Sequence, residues 1–151
     1  KISGCNALDK VLIDKRIPDY ENKLKELQAV LTQLNVELVV DYKVGKILTE
    51  EEVIKTQDIW FEEFLAMKLL IAEISSEDAA IDMINKFSGG HSAVILTENR
   101  ALAKQFMQQV DNAAVYHNAS TRFTDGGQMG VGAELAISTD KLHHRGPLGL
   151  K

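Results

Sequence analysis

A single cysteine, Cys5, stands in this chain. It follows Gly4 and precedes Asn6-Ala7-Leu8 and the short apolar run Val11-Leu12-Ile13. A tight turn anchored by a strand can present such a thiol to a cleft, where its thiolate can act as a nucleophile. Alternatively the thiol is a small buried hydrophobe, the commoner fate of an unpaired cysteine. A second chemistry-bearing run reads Asn118-Ala119-Ser120-Thr121-Arg122-Phe123-Thr124-Asp125-Gly126-Gly127-Gln128. Ser120, Thr121 and Thr124 can each donate a hydrogen bond. Arg122 offers a planar fork suited to carboxylate or phosphate. Gly126 and Gly127 let backbone N–H groups approach a ligand. Together these residues describe an anion site. A surface Ω-loop, with Arg122 in an ordinary salt bridge and the glycines serving turns, fits the same residues.

Other residues carry less. The histidines are His91, His117, His143 and His144. Adjacent side chains such as His143 and His144 diverge, and no cysteine or carboxylate spacing completes a zinc site, so no metal is expected. Gly126 to Gly132 is not a dinucleotide fingerprint, because no strand leads into it in register and no βαβ unit follows. The aromatic cluster Trp60-Phe61-Glu62-Glu63-Phe64-Leu65 suits a core or interface.

The elements that must position these groups alternate in type. Lys10 to Ile13 is strand-like. Pro18 suits a first helical turn, and Leu24, Leu27, Val30, Leu31 and Leu34 recur at three and four, marking one face of a helix over 18–34. Val36 to Val40 predicts a buried strand. Thr49 with Glu52 fits a capping box, predicting a short helix over 50–56. Met67 to Ile74 is a strand. Ser75 and Ser76 offer an N-cap to a helix bearing Ala80, Ile81, Ile84 and Phe87, which Gly89-Gly90 closes. A strand at 93–96, a helix over 98–109 with Leu102, Phe106 and Val110 inward, and a strand at 113–116 complete the rhythm. Residues 118–150 then hold most of the ten glycines. The fold class is α/β, with a mostly parallel sheet flanked by helices. One domain suits 151 residues.

The net charge of −5 and pI near 5.4 supply no basic field for a nucleic-acid partner. No apolar run reaches about 18 residues, so no membrane span is expected. The N-terminus has neither the charged nor the apolar region of a signal peptide. One cysteine is compatible with a reducing, cytoplasmic setting. The chain starts at Lys1 and stops at Gly149-Leu150-Lys151, which suggests a piece of a longer protein.

Cys5-Asn6-Ala7-Leu8, followed by the strand at Val11, resembles the nucleophile segment of γ-glutamyl phosphate reductases, members of the aldehyde dehydrogenase superfamily. The tail resembles their carboxyl-terminal signature, also found in the reductase half of bifunctional pyrroline-5-carboxylate synthases. The Asn118–Phe123 run, Gly132-Ala133-Glu134 and Arg145-Gly146-Pro147-Leu148-Gly149-Leu150 fall in order. Asp9 stands where the family usually has glutamate, Met129 where phenylalanine is common, His144 where alanine is common, and Lys151 where glutamate follows.

The resemblance implies an aldehyde dehydrogenase catalytic-domain-like fold for residues 1–151, with a dinucleotide-binding domain upstream that this chain does not supply. It implies NADPH-dependent reduction of L-glutamyl 5-phosphate to glutamate-5-semialdehyde in proline biosynthesis. Cys5 would be the nucleophile, and Ser120, Thr121, Arg122 and Gly126 would hold the substrate. Glu63 would meet a ribose of NADP(H), although the usual Glu-x-Phe-Gly-Pro form is absent. A homo-oligomer, coupling to a glutamate kinase and an inactive isolated piece are further expectations. The residues also admit a noncatalytic α/β anion-binding module, or a related aldehyde dehydrogenase with another substrate.

Overall fold

Parallel pairing organises every sheet in a computed structural model that describes residues 4–132, 137–141, 145, 146 and 148. The Ala133-Glu134 pair, His143-His144, Pro147, Gly149-Leu150 and both terminal lysines lie outside the described residues. The chain divides into two compact units. One comprises Gly4 and Leu8–Ala80, the other Cys5–Ala7 and the described residues from Ile81 onward.

The first unit runs β1 (Lys10–Asp14), α1 (Tyr20–Gln33), β2 (Glu37–Val40), α2 (Tyr42–Gly45), β3 (Glu52–Val53), a 3-10 turn (Asp58–Phe61) and β4 (Lys68–Ile74). Its sheet has the order β1-β4-β2-β3. Leu12 stands opposite Ala72, and Val40 opposite Ile71. β4 is central, and Leu69 to Ala72 are buried without interruption. That is the pattern of a parallel strand covered on both faces, and the reason its sequence reads as a continuous apolar run. Leu24, Leu38, Val40, Val44, Leu48, Leu69 and Ile71 form the core. Asp41 follows β2 and serves two backbone donors at once, accepting from Val44 N at 2.8 Å and Glu73 N at 3.1 Å. The first bond caps α2.

Two local expectations change here. Residues 50–56 form no helix. Glu52 and Val53 add to the sheet beside Val39 and Val40, and Ile54 N donates to Val40 O at 2.9 Å. The Thr49–Glu52 spacing satisfies a capping pattern, but sheet pairing takes the backbone donors, and the helical turn forms earlier under Asp41. In α1 the buried face narrows to Leu24 with half-buried Leu27 and Leu31, while Val30 and Leu34 are 53% and 57% exposed. The helix begins after Asp19, whose left-handed φ of 58° is accompanied by a 2.7 Å bond from Asn22 Nδ2 to its carboxylate.

The boundary between the units falls within α3 (Glu77–Phe87), whose first turn is capped by Ser76 Oγ accepting from Ala79 N at 3.2 Å. Gly89 and Gly90 follow at φ of 67° and 76°, conformations that glycine adopts without strain. The second unit continues with β5 (Ser92–Ile95), α4 (Arg100–Gln109), β6 (Ala114–His117) and a 3-10 turn (Thr121–Phe123). β5 and β6 pair in parallel, and Ile81, Ala93, Phe106 and Val110 form the core between them and the helices. Asn99 caps α4, accepting from Ala101 N at 3.0 Å and Leu102 N at 3.1 Å. Among the described residues no helix is long and apolar enough to cross a membrane.

Candidate active site

Cys5 is exposed, so its thiol is not a core filler. It lies in a turn whose next residue, Asn6, is only 6% exposed. Cys5, Asn6 and Ala7 belong to the second unit although Leu8 and the strand after it belong to the first. The reason is visible in the bonds of Asn6. Its Nδ2 donates to Thr124 O at 2.8 Å and to Arg122 O at 3.4 Å. Its Oδ1 accepts from Arg122 Nη1. Its main-chain oxygen accepts from Thr121 Oγ1 at 2.8 Å. The cysteine turn and the Ser120–Thr124 segment, far apart in sequence, are thus one structural piece.

That segment is fixed in turn from behind. Thr124 is 2% exposed, and its Oγ1 sits 2.9 Å from Ser92 Oγ on β5 and 2.9 Å from Tyr116 Oη on β6. Ser92 Oγ continues to His91 Nδ1 at 2.7 Å. At the front, Ser120 opens the 3-10 turn, its Oγ accepting from Arg122 N at 3.2 Å. Asp125 closes an Asx turn, accepting from Gly127 N at 2.9 Å and Gln128 N at 3.1 Å.

The four residues expected to hold substrate therefore divide. Ser120 and Arg122 are exposed and, with Phe123, Asp125 and Gln128, line an open depression of about 300 Å³. Arg122 makes no ion pair among the described residues. Thr121 is 7% exposed and spends its hydroxyl on Asn6. Gly126 is buried and its carbonyl accepts from Val131 N at 3.0 Å. The N–H groups of Gly127 and Gln128 are directed to Asp125, so the carboxylate occupies donors that glycine content alone offers to a ligand.

Glu63 lies in the first unit, exposed, between the 3-10 turn and β4. Its neighbours tie the segment down: Lys10 Nζ donates to Glu62 O at 2.6 Å and stands 5.1 Å from the centroid of the Phe64 ring. Among the described residues the Glu63 carboxylate enters no ion pair, and a carboxylate is the kind of group that can accept from the paired hydroxyls of a ribose. No glycine-rich strand-to-helix turn accompanies it among the described residues, so the diphosphate would be held elsewhere. Among the described residues no group of three or more His, Cys, Asp or Glu side chains could hold a metal ion.

Sequence reasoning singled out Cys5 and Arg122 by residue type and read Thr124 as a donor to a ligand, but it gave Asn6 no role of its own, and the Thr124 hydroxyl is spent inside the fold. Asn6 was visible only as a letter beside the cysteine, and its importance comes from partners more than a hundred residues away.

The profile of the aldehyde dehydrogenase family matches residues 46–134, and the chain belongs to that family. Within it, the chain is 46% identical over 149 residues to γ-glutamyl phosphate reductase of Dictyoglomus turgidum, covering 99% of this chain and 35% of that protein. It is 46% identical over 148 residues to the γ-glutamyl phosphate reductase of Listeria monocytogenes, covering 98% of this chain and 35% of that one. The crystal structure of γ-glutamyl phosphate reductase from Thermotoga maritima aligns at a TM-score of 0.92 and 44% identity, covering 99% of this chain and 35% of that chain. The Saccharomyces cerevisiae enzyme aligns at 0.57 and 29% identity, over 82% and 32%. The chain spans about a third of the length of the relatives it matches.

Proposed function

We propose that this chain is the cysteine-bearing part of a γ-glutamyl phosphate reductase, which reduces L-glutamyl 5-phosphate to glutamate-5-semialdehyde in proline biosynthesis. The observation that supports this most is the exposed Cys5, bonded through Asn6 to the loop that carries Arg122. The Cys5 thiolate attacks the acyl carbon, the bond from that carbon to the phosphate oxygen breaks, and inorganic phosphate leaves with the electron pair. When bound, NADPH supplies the hydride that reduces the resulting thioester. The carbon–sulfur bond then breaks, Cys5 regains its thiolate, and the semialdehyde departs. No step requires a base to activate water. Ser120 and the guanidinium donors of Arg122 that are not spent on Asn6 receive an oxyanion of the substrate in the depression they line. Glu63 accepts from a ribose of the cofactor, whose remaining contacts come from a domain upstream. On this reading the chain alone does not turn over, the full-length protein is a cytoplasmic homo-oligomer, and it receives its labile acyl phosphate from a glutamate kinase.

The test is Cys5→Ser in the full-length enzyme, assayed for semialdehyde-dependent NADP reduction. Loss of a covalent nucleophile lowers kcat by more than about 10³-fold. Retained activity would remove Cys5 from the chemistry.

A further inference from the structure

We propose that Asn6 is the residue that positions Cys5, and that it links the nucleophile's turn to Arg122; the proposal rests on Cys5 being the nucleophile. Among the described residues Cys5 makes no hydrogen bond of its own, so its place is set by what holds its neighbour. Asn6 is held on three sides. Its two amide donors take two successive parts of the opposing loop, the carbonyls of Arg122 and Thr124. Its amide oxygen takes Arg122 Nη1, and its main-chain carbonyl takes the Thr121 hydroxyl. With 6% exposure, water does not replace these partners at low cost.

The side-chain type is specific to the task. Alanine loses every side-chain bond. Aspartate keeps the acceptor for Arg122 but has no donor, and it sets a carboxylate against two carbonyl oxygens. Glutamine carries the right groups one methylene too far. Asparagine alone offers a donor pair and an acceptor at this reach.

The link to Arg122 gives Asn6 a second consequence. Arg122, whose guanidinium bonds Asn6, is also one of the residues that line the depression with Ser120 and Gln128. An oxyanion settling there engages a group already bonded to Asn6, and the shift is delivered to the residue beside Cys5. Occupancy of the anion site and placement of the thiol are therefore coupled through one side chain. Misplacing a nucleophile by about 1 Å costs on the order of 10²-fold in rate.

The test compares wild type, Asn6→Ala and Asn6→Asp in the full-length enzyme by two readouts. Expected for both variants is a kcat for semialdehyde-dependent NADP reduction lowered at least ~10-fold, with KM for NADP unchanged. The second readout is the rate of Cys5 alkylation by iodoacetamide across pH, with and without L-glutamate as probe. Wild type responds to L-glutamate, and the Asn6 variants do not. Wild-type kcat in Asn6→Ala overturns positioning. Alkylation that ignores L-glutamate in wild type, or still responds to it in Asn6→Ala, overturns the coupling. The alkylation arm needs no turnover, so a Cys5→Ser enzyme that keeps its activity sinks the catalytic reading while the alkylation arm judges the coupling separately. Should Asn6→Ala not fold by far-UV circular dichroism, Asn6→Asp, equal in shape, decides on the same readouts. Failure of both to fold makes Asn6 a folding residue and refutes a positioning role.

Discussion

Replacing Thr124 with valine keeps the side chain's shape and deletes one buried oxygen in the second unit. That oxygen lies 2.9 Å from Ser92 Oγ and 2.9 Å from Tyr116 Oη, at a residue 2% exposed. Ser92 keeps its contact with His91 Nδ1, so it is not orphaned. Tyr116 is half-buried and loses its hydroxyl partner. Two hydrogen bonds at about 0.5–1.5 kcal/mol each set the scale at about 1–3 kcal/mol, and the added methyl offsets only part of it. The assay is native-state hydrogen exchange at the amides of β5 and β6, because Trp60 lies in the other unit and its fluorescence reports there. Tyr116→Phe in the same background should show a coupling of about 0.5–1.5 kcal/mol in a double-mutant cycle. A Thr124→Val protein within about 0.5 kcal/mol of wild type, or a strictly additive cycle, would refute the role given to this hydroxyl. The main-chain carbonyl that receives Asn6 survives the substitution, so the clamp on the cysteine turn should persist even as its backing loosens.

Gly45→Ala should destabilise the first unit by about 1–3 kcal/mol, since a β-carbon there would stand 2.8 Å from Val53 Cγ2; Trp60 fluorescence in denaturant measures it, and Val53→Ala should relieve it. Asp111 bonds Lys141 and Arg145, which hold its carboxyl below the usual carboxylate range. Because the folded value is depressed, the attachment of these residues is complete above the unfolded carboxylate value of about 3.9 and is lost as pH falls through the lower, folded one. Carboxyl NMR titration should find that midpoint displaced downward, and Lys141→Ala or raised salt should move it back toward the ordinary value; an ordinary midpoint in wild type would contradict the pairing.

Much of the fold was legible because its signals are local. The apolar run at Met67–Ile74 reads as a strand, and Ser76 and Gly89-Gly90 cap and close a helix by rules that act within a few residues. Where a local rule met a distant competitor, the distant partner prevailed. Thr49 and Glu52 have capping spacing, yet β2 recruits Glu52 and Val53 as an edge strand. The site follows the same division. Cys5 and Arg122 announce themselves by chemistry, and the family signature ties them together. The glycines of the loop suggested free N–H groups, but Asp125 claims those of Gly127 and Gln128, a contest that composition cannot resolve. The bond between Asn6 and Thr124 leaves no local pattern, because it is a meeting across 118 positions.

That separation has a consequence for the chain while it is being made. Cys5 leaves the ribosome long before Thr121, Arg122 and Thr124 exist to receive Asn6. At about 5–20 residues per second, the partners follow roughly 6–24 s later. During that interval the thiol is attached to a strand whose own partner, β4, is itself made some sixty residues later. The bonds that fix Asn6 thus wait on residues made well over a hundred positions after it, and a chain stalled or cleaved before Thr121 carries the cysteine turn without them.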